Sequence, residues 1–376
     1  SDTTLDLMVE RSIAMAKDAP PDKYAGLASV NQLAKQRDLS ELEICDPASE
    51  PSPTKLQEKA EIAEASALEV GGVSQVSGAS ASYGKYSVFM AASNGFTANY
   101  DRSSNSVSCV AIAGEGLNME RDYDADTRVY QSDLRPSDEI GRTAGLRAVE
   151  RLNPRRPATG TYPVIYDERI SSGLVGHFLS AINGAAITRG SSWLKDSLGK
   201  QVLPSTCKLV ENPHRLRAGA SRLFDSEGLA TKKREILSKG VLNGWTLDLA
   251  SARKLGMKPT ANASRNVSSN PSPTNWNIEL SSPEDYCDNL LSEMGKGLLV
   301  TSLIGSTINP NTGDYSRGVS GFWVENGQIC YPVSEITIAG NLRDMLKKII
   351  LGNDAQRHLS YVVPSILVEE MTLAGS

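Results

Sequence analysis

The feature that most restricts the fold is a change of composition at residue 73. From residue 73 to residue 134, Ser, Val, Tyr and Thr alternate and glycines interrupt them, a pattern typical of antiparallel strands. Asn94-Gly95 in this stretch predicts a hairpin with a primed turn. The strands expected here cover residues 87–92, 96–100, 106–113 and 128–132. The stretch therefore predicts one antiparallel sheet.

Helices are expected on both sides of this sheet. Residues 4–17 and 54–69 carry apolar side chains at helical spacing, and in the second segment Ile62 and Ala63 belong to the apolar side. A third helix is expected over residues 136–152, because it opens with proline and has acidic residues in its first turn.

Residues 153–160 (NPRRPATG) combine two prolines, two arginines and a glycine without periodicity, which indicates a domain boundary. We therefore predict an α+β fold with two domains. Residues 1–157 form an N-terminal domain of helices and an antiparallel sheet. Residues 158–376 form a C-terminal β-rich domain with few helices. A length of 376 residues agrees with two domains.

Composition excludes several classes of protein. The net charge of −5 disfavours direct binding to nucleic acid, which requires a basic surface. No apolar run reaches the roughly 18 residues that a membrane span needs. The five cysteines are far apart and never in CxxC spacing, which disfavours a disulfide framework or a structural zinc site. We expect a cytoplasmic protein that binds neither membrane nor nucleic acid directly.

Six motifs point to one family. They are KYAGLA (23–28), SSWLKDSLGKQV (191–202), FDSEG (224–228), SKGVLNGW (238–245), a long run from NPNTGDYSRGVSGFW to NLRDML (309–346) and VPSILVEEMTLAG (363–375). Together they resemble the family of TldD and PmbA, the latter also called TldE, and within it the PmbA/TldE branch. The resemblance covers nearly the whole chain and is most specific over residues 309–346.

The resemblance implies a cytoplasmic α+β protein that pairs with a TldD-like sister subunit. The sister resembles a zinc peptidase (type U62) with a His-Glu-x-x-x-His helix and a later cysteine as third ligand. The pair is linked to trimming leader segments from modified peptides and to degrading unfolded polypeptides, and the family is also labelled a modulator of DNA gyrase. Relative to the family, an N-terminal helix and strands are missing here, so we expect the first domain to be truncated at its start.

The zinc site is expected to be degenerate in this chain. Hydrolytic zinc needs three protein ligands and a carboxylate that accepts a proton from water. At the positions of the sister's first ligand and base, this chain has Ser172 and Gly173, and His177 alone remains. No cysteine follows the turn at residues 352–354. The resemblance therefore predicts no metal and no catalytic residue in this chain, with the zinc in the partner subunit.

A groove for a peptide substrate is expected near this helix. Its candidate residues are His177, Asn311, Asp314, Tyr315 and Arg317, since a turn rich in polar and aromatic side chains suits an extended peptide added to a sheet edge. The alternative is that residues 309–317 only shape a tight turn and its core.

Two other functions stay open. The chain is an active metallopeptidase with an atypical site if His177 and His358 share a metal. It is a protein-binding regulator if the gyrase label describes its partner. A homodimer is expected as an alternative assembly of the isolated chain. Asp225 and Glu227 are expected in a turn or an interface rather than in acid–base catalysis.

Overall fold

The structure is a computed structural model that describes residues 2–283 and 285–375. Within these ranges it contains eight α-helices: α1 (Asp2–Asp18), α2 (Pro53–Leu68), α3 (Ser137–Glu150), α4 (Glu168–Ala181), α5 (Gly184–Arg189), α6 (Leu249–Leu255), α7 (Leu290–Met294) and α8 (Leu342–Lys347). The first eight strands are β1 (Val73–Ala91), β2 (Thr97–Ala113), β3 (Glu120–Arg128), β4 (Gly160–Tyr166), β5 (Lys208–Glu211), β6 (Arg234–Ser238), β7 (Val241–Leu242) and β8 (Ala263–Ser264). The others are β9 (Ser272–Pro273), β10 (Ile278–Ser281), β11 (Gly297–Ile308), β12 (Asp314–Glu325), β13 (Gln328–Asn341), β14 (Ile349–Leu351), β15 (Tyr361–Val362) and β16 (Ile366–Ala374). The predicted α+β class is confirmed.

The first sheet is antiparallel, with strand order β1-β2-β3, and α2 and α3 pack against it. The core between them is built mainly from small side chains, including Ala63 on α2 and Ala144 on α3. Small side chains let the two helices approach closely: a Cβ added to Gly141 would lie 1.9 Å from the carbonyl oxygen of Ala63. Ile62, expected on the apolar side of α2, is 48% exposed instead.

The β1–β2 hairpin is longer than expected, and its turn differs from the prediction. The predicted strands 96–100 and 106–113 are one strand, β2. The backbone N–H of Ala92 donates to the carbonyl of Phe96, which leaves a three-residue loop. A primed turn needs positive φ at both central residues, but only Gly95 has it, at 88°. The loop is therefore of the three-residue type that ends in a left-handed glycine.

The prediction of a strand at residues 128–132 is wrong, because the third strand, β3, covers Glu120–Arg128. Its inward-facing positions hold Asp122, Asp124 and Asp126, all buried. Asp124 accepts hydrogen bonds from Arg135 (2.7 Å) and Arg147 (2.8 Å). Each buried charge thus has a partner, as burial of a carboxylate requires.

The same aspartates connect the sheet to the rest of the chain. Asp122 accepts from Arg151 on the C-terminal side of α3 (3.2 Å) and from Arg169 on α4 (3.1 Å). His358 Nε2 lies 3.4 Å from a carboxylate oxygen of Asp126. Strand β3 therefore fixes the N-terminal end of α4 relative to the first sheet.

The remainder of the chain contains two larger sheets. One has the order β13-β12-β11-β4-β16-β14, with an additional β13–β16 pairing, and the other has the order β15-β10-β5-β6-β7. Pairs β4–β11 and β10–β15 are parallel, and the other pairs in these two sheets are antiparallel. One continuous hydrophobic core contains side chains of α4 and of both sheets, including Leu174, Phe178, Leu209 and Leu298.

Helix α1 forms where the apolar spacing predicted a helix, but its apolar side chains are exposed, Leu5 at 61% and Met15 at 73%. Over the described parts of the chain, no helix has the length and apolar character needed to cross a membrane.

Candidate functional site: the cleft beside helix α4

Helix α4 presents the candidate site. The carboxylate of Asp167 caps its N-terminus by accepting the backbone N–H of Arg169 at 3.1 Å. Leu174 and Phe178 bury one side of the helix in the core. His177 is half-buried and borders a cleft. The helix is therefore held at its start and along its apolar side, which fixes the position of His177.

The residues at the expected metal positions do not fit a hydrolytic zinc ion. Ser172 offers a hydroxyl and Gly173 offers no side chain, so His177 is left as the one strong ligand of the three. Within residues 2–283 and 285–375, no three His, Cys, Asp or Glu side chains lie close enough together to hold a metal ion. The mismatch lies in the chemistry of the donors. Space is available, since a Cβ built on Gly173 meets no heavy atom within 4 Å.

Strand β12 lies beside His177. The ring of Tyr315 lies 6.0 Å from the His177 ring in an edge-to-face arrangement, and 6.5 Å from the ring of Tyr166. Arg317 is two residues further along the strand and therefore points to the same face as Tyr315. The pKa of His177 is lowered first by burial and second by the charge of Arg317. Both effects favour the neutral form of the His177 imidazole.

Arg317 has an unusual environment. Its Nε atom is buried and has no hydrogen-bond partner. The side chain as a whole is partly exposed, and Arg317 is not among the residues that line the cleft. A charged group in such a position is normally paired.

The five predicted groove residues separate into two groups. His177, Tyr315 and Arg317 lie together, whereas Asn311 and Asp314 are exposed in and beside the turn before β12. Asp314 accepts hydrogen bonds from Thr312 (2.6 Å) and Asn341 (3.0 Å), which lower its pKa. A role for these residues in binding a peptide stays a prediction.

The cleft contains residues that sequence reasoning missed. Its cavity has a volume of about 260 Å³ and is lined by His177, Ser180, Ala181, Ala186, Arg189, Ser191, Trp193, Ile308 and Pro310. The backbone N–H of Trp193 donates to the carbonyl of Pro310 at 2.8 Å, which joins the segment after α5 to the turn before β12. The motif that begins at residue 191 could have indicated that Ser191 and Trp193 belong to the site.

His358 belongs to a different environment. Its neighbour is Asp126, and its pKa is lowered first by burial and then by the charge of Arg128. His177 instead faces Tyr315. The two histidines therefore have different partners in this fold.

Comparisons with known proteins settle the family. Residues 159–375 match the model of the PmbA/TldA metallopeptidase C-terminal domain, and residues 46–152 match that of the central domain. The chain belongs to the PmbA/TldD metallopeptidase family. The family predicted from the sequence motifs is confirmed.

Several relatives in this family align over most of the chain. It is 41% identical over 371 residues to the metalloprotease PmbA of Escherichia coli O157:H7, covering 98% of this chain and 79% of that protein. It is 38% identical to a metalloprotease PmbA homolog of Haemophilus influenzae, covering 100% of this chain and 81% of the relative.

Solved structures of family members share the fold. A Bacteroides thetaiotaomicron protein that carries the name of a DNA gyrase modulator superposes with a TM-score of 0.87 at 28% identity, covering 100% of this chain and 84% of the other. TldE of Thermococcus kodakarensis superposes with a TM-score of 0.80 at 19% identity, covering 100% and 85%, and this likeness concerns the fold alone.

Proposed function

We propose that this chain is the metal-free subunit of a cytoplasmic PmbA/TldD-type metallopeptidase that assembles with a zinc-bearing, TldD-like sister subunit. The observation that carries the proposal is the donor set on α4, where Ser172 and Gly173 stand at the positions of a ligand and a base. Serine is a weak zinc ligand, and glycine cannot accept a proton from water. Hydrolysis of the peptide bond is therefore assigned to the sister subunit.

The cleft beside α4 supports a role in holding the peptide. It combines an apolar wall that includes Trp193 and Ile308 with the polar side chains of His177 and Arg189. Such a combination is typical of sites that bind and orient a ligand. The substrates we propose are leader segments of modified peptides and unfolded polypeptides, which this subunit guides towards the zinc of its sister.

Measurements on each subunit alone and on the pair test this proposal. The zinc content, obtained by mass spectrometry, and the cleavage of an unfolded protein are measured for this chain, for the sister and for the co-expressed pair. We expect zinc in the sister and activity in the pair. One tightly bound zinc in this chain, together with peptidase activity of the chain alone, would refute the proposal.

Two variants separate the roles of the subunits. Replacing the glutamate of the sister's His-Glu-x-x-x-His motif by glutamine is expected to abolish cleavage by the pair. His177→Ala in this chain is expected to leave the zinc content of the pair unchanged. If the chain were itself a metallopeptidase that uses His177 and His358, His177→Ala would instead remove a chelator-sensitive activity of the isolated chain. The position of His358 beside Asp126 does not support that alternative.

The same preparations address assembly. Light scattering is expected to show a heterodimer for the co-expressed pair and a homodimer for this chain alone, since two-fold self-association is the commonest oligomer. The gyrase-modulator name suggests a different partner. A pull-down that returns a DNA-associated protein instead of the sister would favour the regulator hypothesis.

A further inference from the structure

A second cavity lies next to the His177 cleft. It has a volume of about 190 Å³, and it is lined by residues of the segment 193–202 and of helix α8. Trp193 lines both this cavity and the His177 cleft, so the two are neighbours. A peptide held in the cleft therefore has this cavity within reach of its adjacent side chains.

The lining of this second cavity is electropositive. It contains the cations Lys200, Arg343 and Lys347 and a single acid, Asp196. Three positive charges and one negative charge leave a net charge of +2 on the lining. The sign is opposite to that of the whole chain, which carries a net charge of −5. The positive charge is therefore a local property of this cavity.

These three cations have no protein partner. Within residues 2–283 and 285–375, their side chains form no ion pair and no hydrogen bond with another residue. Other exposed lysines of the fold are paired, Lys208 with Glu235 at 2.5 Å and Lys296 with Glu325 at 3.2 Å. The cations of the cavity are thus free to bind an anionic group.

Helix α8 supplies two of the cations from a fixed position. The side chain of Asn341 caps the helix by accepting the backbone N–H of Arg343 at 3.1 Å. Leu342 and Leu346 are buried and hold the helix on the core. Arg343 and Lys347 are exposed and four residues apart, so they lie on the same side of the helix.

The third cation, Lys200, is held by its backbone. Its N–H donates to the carbonyl of Ser197 at 3.0 Å, and its carbonyl accepts from the N–H of Leu242 at 3.0 Å. Beside it, Trp193 and Leu194 form an apolar wall and are only 3% and 2% exposed. A cavity with charges of one sign and an apolar wall concentrates the electric field, which strengthens attraction of an opposite charge.

We infer that this cavity binds an acidic side chain, a glutamate or aspartate, of the peptide whose adjacent residues occupy the His177 cleft. Arg343 offers the planar donor pair that matches a carboxylate, and Lys200 and Lys347 add point charges. The volume lies below the roughly 300 Å³ at which sites for drug-sized ligands begin, which suits one side chain. The inference rests on the proposed function for the peptide nature of the ligand, and it adds that the preferred substrates are acidic beside the cleft-binding segment.

Isothermal titration calorimetry on the isolated full chain tests the inference, with EDTA present throughout. Two peptides are compared, each blocked at both ends. One has a run of glutamates followed by alanines and leucines, and the other has glutamines in place of the glutamates. We expect the glutamate peptide to bind at least about tenfold more tightly, because charge-assisted hydrogen bonds are lost with glutamine. Equal binding of the two peptides, or no binding of the glutamate peptide, would overturn the inference.

Salt and phosphate provide two further readouts. The preference for glutamate is expected to shrink as the salt concentration rises, because salt screens exposed charges. A preference that does not depend on salt would contradict an electrostatic site. Inorganic phosphate is titrated alone, since it also suits a cluster of cations. Tighter binding of phosphate than of the glutamate peptide would mark a phosphate site and overturn the assignment to a carboxylate.

Variants of the three cations locate the site. Lys200→Gln, Arg343→Gln and Lys347→Gln are each expected to reduce the glutamate preference, and the triple variant to abolish it. The matched control removes three charges from exposed residues outside the cavity, namely Lys35→Gln, Lys55→Gln and Arg142→Gln. The control is expected to keep the preference. An equal loss in both triple variants would show an effect of net charge alone, and retention of the preference in the first triple variant would also overturn the inference.

Thermal unfolding shows that the variants are comparable. Because the three cations are exposed and unpaired, their triple variant is expected to unfold at the same temperature as the control. The single variants decide the question if the triple variant does not fold. Zinc content and cleavage are measured separately. Zinc with peptidase activity in this chain would defeat the proposed function, whereas absence of the glutamate preference in a zinc-free chain would defeat this inference alone.

Discussion

Asp122 connects the first sheet to helix α4, and its replacement should lower the free energy of unfolding. Its carboxylate is buried, with one oxygen accepting from Arg169 (3.1 Å) and the other from Arg151 (3.2 Å). Removing one partner of a buried ion pair costs about 3–5 kcal/mol. Both arginines keep a second carboxylate nearby, Asp167 at 3.0 Å and Glu120 at 4.0 Å. We therefore expect Asp122→Ala to lower the free energy of unfolding by about 3 kcal/mol, the lower end of that range.

Urea unfolding monitored by circular dichroism measures this loss. Asp122→Asn keeps one acceptor oxygen, so a smaller loss of about 1–2 kcal/mol is expected. Asp101→Ala is the matched control, because Asp101 pairs with Lys85 at 3.8 Å on the exposed hairpin, and we expect a loss below about 1 kcal/mol there. Hydrogen exchange in the first turn of α4 should increase in Asp122→Ala. Equal stability of the two alanine variants would refute the assignment of Asp122 as a link between the first sheet and α4.

Three further changes test other parts of the structure. Glu211 is buried and accepts hydrogen bonds from four donors, so Glu211→Ala should lower urea stability by about 3–5 kcal/mol, with partial recovery in Glu211→Gln. Burial raises the pKa of Glu227 to about 7, so the folded state binds the proton more tightly than the unfolded state does. The free energy of unfolding should therefore fall as the pH rises from about 4.5 to 7. Glu227→Gln should flatten this dependence, as measured by unfolding curves at pH 5 and 8. Gly141→Ala places a Cβ 1.9 Å from the carbonyl oxygen of Ala63 and should cost about 1–3 kcal/mol in thermal unfolding. Gly176→Ala, whose Cβ meets nothing within 4 Å, should not be destabilising, and a similar loss in both alanine variants would contradict the packing explanation.

The helices next to the first sheet were predictable, because their periodicity and start signals are local. Strand β3 was not. Its inward positions hold Asp122, Asp124 and Asp126, so the alternation that marks a strand is inverted there, with charged residues on the buried face. The partner of Asp126, Arg128, lies on β3 itself. The arginines that pair with Asp122 and Asp124 lie before α3, on α3, directly after it and on α4. No local pattern in the sequence reveals these distant partners.

The candidate site was predictable only in part. The degenerate positions Ser172 and Gly173 follow from the resemblance to a ligand motif, and the structure places them on a helix that borders a cleft. The edge-to-face contact of Tyr315 with His177, and the presence of Arg189 at the rim, depend on the packing of β12 and α5 against α4. These contacts join segments distant in sequence, which single-sequence periodicity cannot relate.

The order of strands in the six-stranded sheet has a consequence for biosynthesis. Strand β4 pairs with β11 and with β16, so that Val164 contacts Leu298 on one side and Val368 on the other. Both neighbours of β4 leave the ribosome long after it does. The first sheet and its two helices, in contrast, are complete within residues 53–150. We expect this sheet to fold co-translationally. Strand β4 stays unpaired until β11 and β16 have been synthesised, so chaperones or rapid synthesis are needed to protect it from aggregation.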